Sequence, residues 1–305
     1  MIDFLDINKN EISNLPNGVN ISTMCASCKI GTFINVLNIE KYLPLHINDI
    51  LCVKFNKNKI RTLIPIPIKT RRNKRKFTVE KKANHFYNQI TVIIRVNSGP
   101  IENWLTEPKI NLKLFKNGSI QMSGCKSISN INIVLNKLLE KIKQVKGRVE
   151  DGKIIDILFV DEINKVGINN FKIDMINSNY NYFKYSNKPS MQIDRAKLFN
   201  LLIKKKIKSS FEPCIRACVI IKYVPLENNI EEKEISIFIF QKGNIIITGA
   251  KNKNHIITAY KYINNILLVH FDDINKVEEC NDETIYLSMY DDIMKEVNAG
   301  LINIY

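Results

Sequence analysis

The side chains whose type and spacing indicate a function are two phenylalanines, Phe115 and Phe240, each followed by small polar residues. Alternate residues of a strand share a face, so each ring is predicted to stand in a row that contains no acid. Such a ring could wedge between stacked bases while its neighbours bind the floor of a groove. Alternatively, both rings are core residues of two hairpins. The predicted rows are Phe115, Asn117, Ser119, Gln121 and Ser123, and Phe240, Lys242, Asn244, Ile246 and Thr248.

Residues that could support catalysis or bind a metal are present but poorly arranged. Cys25 and Cys28 have the spacing of a zinc site, yet residues three apart on a strand point to opposite sides. The 4 histidines are dispersed and form neither a triad nor an HExxH motif. Residues 243–251 resemble a phosphate loop that is one residue too long. We therefore expect a binding protein and not an enzyme, with no metal and no cofactor.

The overall charge indicates the class of partner. The 305 residues include 45 Lys and Arg against 30 Asp and Glu, which gives a net charge of +15. This imbalance favours a polyanionic partner, and nucleic acid is the first candidate. An apolar fraction of 45% suffices for a core, while the apolar stretches are shorter than a membrane span. Seven cysteines and an N-terminus without a basic-then-apolar start predict a reduced, intracellular compartment.

One internal repeat organises the chain. Residues 112–126, LKLFKNGSIQMSGCK, align without a gap with residues 237–251, IFIFQKGNIIITGAK. Each copy reads as a strand that ends in phenylalanine, a short turn that ends in glycine, and a second strand, which predicts a tight hairpin. An amphipathic helix is predicted after each hairpin. Its N-cap is Ser127 or Ser129 in the first copy and Asn252 or Asn254 in the second.

The same order of elements is predicted before each hairpin. Two such units predict an α+β fold, in which tandem pseudo-symmetric repeats form one curved antiparallel sheet with helices on its convex face. The bare face of the sheet is the predicted binding face. The predicted strand, helix and strand are Val19 to Met24, Ile34 to Tyr42 and Ile90 to Val96, and then Phe171 to Asn177, Ile193 to Ile207 and Ile215 to Tyr223.

The predicted domain boundaries follow from the repeat. An N-terminal extension at 1–16 precedes a first repeat at 17–146, and a linker at 147–168 precedes a second repeat at 169–275. The C-terminal tail is 276–305. The first repeat contains a basic insertion at about 43–86, which we expect either to contact phosphates or to be a solvated loop or localisation signal. The candidate phosphate contacts are Arg71, Arg72, Lys74, Arg75 and Lys76, and outside the insertion Arg95 and Lys222.

Several of these segments resemble the TATA-box-binding protein family, particularly its divergent relatives in large DNA viruses. Residues 239–251, IFQKGNIIITGAK, resemble the hairpin motif IFxSGKxxxTGAK of that family. Residues 211–213, FEP, ahead of 219–222, VIIK, are similar to its YEPE…IYR segment, a loop termed the stirrup and the strand after it. Residues 22–29, STMCASCK, resemble its first strand, VSTV…CK.

The resemblance implies a saddle whose concave sheet face lies on the DNA minor groove and is anchored by phenylalanine wedges. Phe115 and Phe240 match two of the four wedge positions of the family. The other two positions align with Gln89 and Arg216, which are not aromatic. We expect a preference for A·T-rich duplexes, because the amino group of guanine would clash with close apolar contact on the groove floor.

The family also has a base-contacting asparagine on the first strand of each repeat. These positions correspond to Asn20 or Val19 in the first half and to Asn177 or Met175 in the second.

The resemblance further implies protein partners. The second stirrup of the family docks a transcription factor IIB-like protein, and this role carries over to Glu212, Cys214 and Ile215. RNA polymerase would be recruited through that factor. The expected location is the nucleus or a cytoplasmic viral factory, without membrane association. Alternatively, the chain is a saddle-fold module for protein or RNA interaction that has lost sequence-specific DNA bending.

Overall fold

The chain divides into two compact units. The computed structural model describes residues 12–55, 59–65, 88–97, 104–184, 191–227, 230–231 and 233–277. The first unit holds the described residues within 1–179, 224–236 and 246–260, and the second those within 180–223, 237–245 and 261–305. The bounds of these two units differ from those of the predicted repeats. The repeat boundaries stay a prediction. The extension at 1–16 and the tail at 276–305 lie mostly outside the described residues.

Antiparallel strands account for much of the described chain. The strands are β1 (Asn20–Lys29), β2 (Ile50–Lys54), β3 (Ile60–Thr62), β4 (Gln89–Arg95), β5 (Lys109–Phe115), β6 (Ser119–Cys125), β7 (Lys146–Glu150), β8 (Lys153–Ile157), β9 (Asn169–Asn181), β10 (Met191–Ile193), β11 (Ser209–Ser210), β12 (Cys218–Tyr223), β13 (Leu226–Glu227), β14 (Ile230–Glu231), β15 (Ile235–Phe240), β16 (Asn244–Ala250) and β17 (Asn275–Val277). The helices are α1 (Val36–Tyr42), α2 (Ile128–Ile142), α3 (Arg195–Lys204), α4 (Lys253–Val269) and α5 (Phe271–Ile274). The predicted α+β class is confirmed. No described helix has both the length and the apolar character needed to cross a membrane.

The first unit is a sheet whose strand order is β16-β9-β1-β6-β5-β4-β2-β3. The ladders from β9 to β3 in this order are antiparallel. Helix α2 packs against β4 and β6, and α1 packs against β2 and β4. Helix α2 begins after Ser127, whose hydroxyl accepts a hydrogen bond from the N–H of Asn130. The N-cap is thus Ser127 and not Ser129.

The second unit is smaller and contains β11, β12 and part of β15 as sheet neighbours. Helix α3 packs against β11, β12 and α5. It begins after Asp194, whose carboxylate accepts hydrogen bonds from the N–H groups of Ala196 and Lys197. A short ladder between β10 and β17 was not expected from the sequence.

Part of the predicted insertion has a counterpart in the second half of the chain, which corrects its extent. Strand β2 lies within 43–86 and pairs with β4, just as β11 pairs with β12. Strand β3 then pairs with β2. The segments 56–58 and 66–87 lie outside the described residues, and they include most of the basic charge.

The segment predicted as a linker forms a β-hairpin. Strands β7 and β8 pair around Asp151 and Gly152, whose φ angles are +50° and +76°. Positive φ at both central residues is typical of the two-residue hairpin turn that an Asp-Gly pair favours. This dipeptide is the signal from which the hairpin could have been predicted.

Candidate nucleic-acid interface

The β5–β6 hairpin has one buried side and one open side. Leu114 and Met122 have 0% exposure and lie on the side that α2 covers. Alternate residues point the other way and are half-buried or exposed. The ring of Phe115 is therefore on the open side. The predicted residues on this side are Phe115, Ser119, Gln121 and Ser123.

The cross-strand neighbour of Phe115 is an amide and not a second ring. Strands β4 and β5 pair with Gln89 directly opposite Phe115. This register agrees with the alignment of Gln89 to the missing wedge position. The first hairpin therefore presents one aromatic ring at its tip.

The β15–β16 hairpin shows the same alternation. Ile239 and Ile247 have 0% exposure, whereas Phe240 and its alternate neighbours are half-buried or exposed. Phe238 lies on the open side with Phe240, and sequence analysis missed it. The period of two that selected Phe240 selects Phe238 as well, but the repeat places Lys113 at the equivalent position. The predicted residues on this side are Phe240, Asn244, Ile246 and Thr248.

Asn117 and Lys242 lie in the hairpin turns, which corrects the predicted rows. The carboxamide oxygen of Asn117 accepts a hydrogen bond from the N–H of Ser119, at 3.1 Å. Gly118 has a φ of +80°, and a Cβ there would lie 2.3 Å from the carbonyl oxygen of Thr32. The chain reverses at this glycine, so strand alternation does not continue through the turn.

Asn181, at the end of β9, holds the second turn in place. Its Nδ2 donates to the carbonyl oxygen of Lys242 at 3.0 Å and to Oδ1 of Asn244 at 2.8 Å. Its Oδ1 accepts from the N–H of Phe183 at 2.9 Å. The ring of Phe183 would lie 2.4 Å from a Cβ at Gly243. Sequence analysis missed Asn181 because its bonding partners lie 61 and 63 residues away.

Two predicted groove residues, Asn177 and Thr248, are brought together on neighbouring strands. The hydroxyl of Thr248 donates a hydrogen bond to Oδ1 of Asn177. The hydroxyl of Ser22 donates to the backbone oxygen of Asn177 at 3.0 Å. Because Oδ1 is used as an acceptor, the Nδ2 hydrogens of Asn177 are the groups that can be offered to a ligand. These donors suit the groove floor of A·T pairs, which presents only acceptors.

Thr248→Val is expected to weaken binding to an A·T-rich duplex roughly threefold to tenfold, because the amide of Asn177 loses the bond that orients it. The measurement is a fluorescence anisotropy titration, with thermal unfolding to check the fold. Thr248→Ser should retain wild-type affinity. Thr258→Val, which removes a hydroxyl from α4, is the matched control. Wild-type affinity in Thr248→Val would contradict this role of the hydroxyl.

The first-strand alternatives differ in exposure. Val19 is only 7% exposed and belongs to the core, whereas Asn20 is exposed. The Nδ2 of Asn20 donates to the carbonyl oxygen of Gly18 at 3.1 Å. Of the two candidates, Asn20 is the one whose side chain can reach a ligand.

Arg95 is enclosed and ion-paired, which corrects its prediction as a phosphate contact. Its side chain has 0% exposure, and Nε and Nη2 donate to the Glu107 carboxylate at 2.6 and 2.7 Å. Nη1 donates to Oδ1 of Asn48 at 3.2 Å. The hydrogen bond from Arg95 holds the pKa of Glu107 below its ordinary value. By contrast, Lys222 is exposed at the end of β12. Arg71, Arg72, Lys74, Arg75 and Lys76 lie outside the described residues.

The loop before β12 displays all three predicted partner-binding residues. Glu212, Cys214 and Ile215 are exposed, Ile215 to 73%. The N–H groups of Ile215 and Arg216 donate to the carbonyl oxygen of Glu212 at 3.0 and 2.8 Å, which folds the loop into a turn. The guanidinium of Arg195 lies 5.6 Å from the ring centre of Phe211 at the base of the loop. Arg216, predicted for the groove face, is exposed in this loop ahead of the strand.

The Cys25 and Cys28 pair does not form a shared ligand set. Cys25 is half-buried, opposite Ser123, and Cys28 is buried. Burial raises the pKa of Cys28 to about 12, which disfavours the thiolate that a metal requires. Among the residues that the structure describes, no group of three or more His, Cys, Asp or Glu is arranged to hold a metal ion.

A family model and a relative in sequence agree on one family. A family model described as "Transcription factor TFIID (or TATA-binding protein, TBP)" matches residues 193–270. Over 271 residues the chain is 36% identical to the "TATA-box-binding protein-like" protein of Acanthamoeba polyphaga mimivirus, covering 85% of this chain and 67% of that relative. Among solved structures, it is similar to Methanococcus jannaschii TBP, with a TM-score of 0.46 and 16% identity, over 82% of this chain and 98% of that one.

Proposed function

The chain belongs to the TATA-box-binding protein family, and from this premise we propose that it is a transcription initiation factor that binds the minor groove of A·T-rich promoter DNA. The observation that carries the proposal is the pair of half-buried rings, Phe115 and Phe240, on the open sides of two equivalent hairpins. The open sides of these hairpins also carry amides and hydroxyls, among them Gln121, Ser123, Asn244 and Thr248. The protein would act by binding and not by catalysis, in the nucleus or a viral factory.

The proposed binding combines three physical contributions. A net charge of +15 attracts the phosphate backbone, and the exposed Lys222 can contact it. The amide of Asn177 donates to acceptors on the groove floor. Inserting the rings of Phe115 and Phe240 unstacks base steps at a cost of a few kcal/mol, which the burial of each ring offsets in part.

The proposal is tested by measuring affinity for three ligands across a range of salt concentrations. We expect tighter binding to an A·T-rich duplex than to a G·C-rich duplex or to single strands, and an affinity that falls steeply with salt. Equal affinity for the two duplexes would contradict minor-groove recognition. A preference for single strands or RNA would support the alternative, an interaction module without sequence-specific bending.

We also propose that the exposed loop at Glu212, Cys214 and Ile215 docks a transcription factor IIB-like protein, which in turn recruits RNA polymerase. Exposed apolar and acidic side chains on a loop fixed by its own hydrogen bonds support this assignment. A loop that is already ordered loses little conformational entropy when a partner binds.

Glu212→Arg is expected to weaken capture of the partner at least about tenfold while DNA affinity stays unchanged. The arginine would repel the cationic group of the partner that pairs with Glu212. The measurement is a ternary band shift with DNA, the chain and the transcription factor IIB-like protein encoded with it. Glu162→Arg reverses an exposed acid in the linker and is the matched control. Unchanged recruitment by Glu212→Arg would argue against this docking site.

A further inference from the structure

A carboxylate stands on the side of the sheet that is proposed to face the groove. Asp174 is an extra residue in β9, because Cys25 pairs with Met175 and the next residue, Ala26, pairs with Ile173. Two residues of β9 therefore oppose one step of β1, which is a β-bulge. Bulges redirect side chains, and this one involves an acid that lies outside the two acid-free rows predicted from the sequence.

The position of the carboxylate is fixed by its contacts. Oδ1 of Asp174 accepts a hydrogen bond from the hydroxyl of Ser27 at 3.0 Å. Ser27 lies opposite Gln121 in the ladder between β1 and β6, so it shares the open side of β6. Burial raises the pKa of the Cys25 thiol, and the charge of the nearby Asp174 raises it further.

The negative charge of Asp174 is only weakly compensated by the neighbouring Lys172. The Nζ of Lys172 lies 3.8 Å from Oδ1, but this lysine is 72% exposed, and an exposed pair at that distance contributes little. The Asp174 side chain is 30% exposed. The Ser27 bond uses Oδ1, which leaves Oδ2 able to accept a hydrogen bond from a ligand.

A carboxylate on this surface is poorly suited to an A·T pair. The minor-groove floor of A·T offers only acceptors, so a carboxylate placed there has no donor to bind. The single donor on the floor is the 2-amino group of guanine. In strand order, β1 and β9 lie between β6 and β16, the second strands of the two hairpins, so the acid would meet the inner part of the site and not its ends.

We infer that Asp174 is a specificity-determining residue that accepts a hydrogen bond from the 2-amino group of guanine, so that the preferred site contains a G·C pair within its A·T-rich sequence. The inference rests on the proposed function. Elsewhere, the amino group of guanine remains unfavourable where it would meet a close apolar contact.

The test separates the amino group from every other property of the base pair. In an A·T-rich duplex, each inner position is occupied in turn by A·T, 2,6-diaminopurine·T, G·C or hypoxanthine·C. Only the second and third pairs carry a minor-groove amino group. Affinities are measured by anisotropy for the full chain, Asp174→Asn, Asp174→Ala and Asp161→Asn, the last being the same change at an exposed loop residue.

At one or two adjacent positions, the amino group is expected to tighten wild-type binding about 5- to 30-fold, in both the A·T and the G·C backgrounds. The gain should fall below about twofold in Asp174→Asn and Asp174→Ala and persist in Asp161→Asn. Asp174→Asn keeps an acceptor for Ser27, and thermal unfolding checks its fold. Because the wild-type series needs no variant, it tests the inference by itself.

The outcomes distinguish this inference from the proposed function. Tight binding to A·T-rich duplexes with no position at which the amino group helps would overturn the role of Asp174 alone. A gain that survives both Asp174 variants would assign the contact to another residue and overturn it too. Failure of the chain to prefer any duplex over single strands would overturn the proposed function, and the Asp174 inference with it.

Discussion

Alanine at both Phe115 and Phe240 is expected to leave an A·T-rich duplex nearly straight and to weaken its binding about 100-fold or more. Burying one phenylalanine ring is worth about 1.5–3 kcal/mol, or roughly tenfold to 100-fold in affinity. Without the rings the base steps stay stacked, and the further contacts that only a bent duplex makes with the protein are lost. The measurements are energy transfer between dyes at the duplex ends, for the bend, and anisotropy, for the affinity.

The control is an exposed apolar residue on a helix, outside both hairpins. Leu268 is 71% exposed near the end of α4. Leu268→Ala should bend DNA as the wild type does. Leucine at Phe115 and Phe240 keeps part of the apolar volume and should give an intermediate bend. Equal bending by the wild type and the double alanine variant would contradict the assignment of these rings as wedges. Thermal unfolding checks that the variants are folded.

The two hairpins present different surfaces to a ligand, and the reason is local. In the first, Phe115 has Gln89 opposite it and Lys113 two residues before it. In the second, Phe238 accompanies Phe240 on the open side. The two hairpins therefore offer unequal apolar area to a ligand, and the sequence repeat does not require them to kink DNA equally.

Much of the local structure could be predicted because its signals are local. The period of two assigned Phe115 and Phe240 to the open sides, and the turn glycines set the hairpin positions. The sequence offers two N-cap candidates for each of these helices. The structure shows that Ser127 and Asn252 are the ones that accept a helical N–H. These features depend on residues only a few positions apart.

The features that sequence analysis missed depend on residues that are distant in the chain. The bulge at Asp174 arises from the register between β1 and β9, and its partner Ser27 is 147 residues away. Asn181 acts on a turn 61 residues later. Alternation within one strand cannot show an extra residue that pairing inserts, so the sequence contains no signal for the side on which Asp174 lies.

The prediction that Arg95 contacts a phosphate was wrong because its partner, Glu107, lies outside its own strand. Arg95 is the last residue of β4 and Lys222 the second-last residue of β12, and by strand position both are candidates for a phosphate contact. The loop after β4 adds Glu107, which closes on the guanidinium with two hydrogen bonds. A charge that is already paired and enclosed contributes to stability and not to DNA binding.

Glu107→Gln is expected to lower the Tm by roughly 5 °C or more near neutral pH, because an enclosed guanidinium then faces an amide group that cannot accept at both positions. The folded-state pKa of Glu107 is lowered from its ordinary value of 4.5. The pair therefore stabilises the fold above that pH, and its contribution is lost as the pH falls through the lowered pKa. The difference in Tm between the wild type and the variant should shrink accordingly in acid.

The Tm of the wild type and of Glu107→Gln is measured by calorimetry over a series of pH values. An exposed ion pair is the control. Glu162 and Lys165 lie 2.7 Å apart with both side chains more than half exposed, so Glu162→Gln should leave the Tm nearly unchanged. The salt dependence of DNA binding should be the same in Glu107→Gln and the wild type if Arg95 makes no phosphate contact. A wild-type Tm in Glu107→Gln, or a difference that persists in acid, would contradict the stabilising role of the ion pair, and a changed salt dependence would return Arg95 to the set of phosphate contacts.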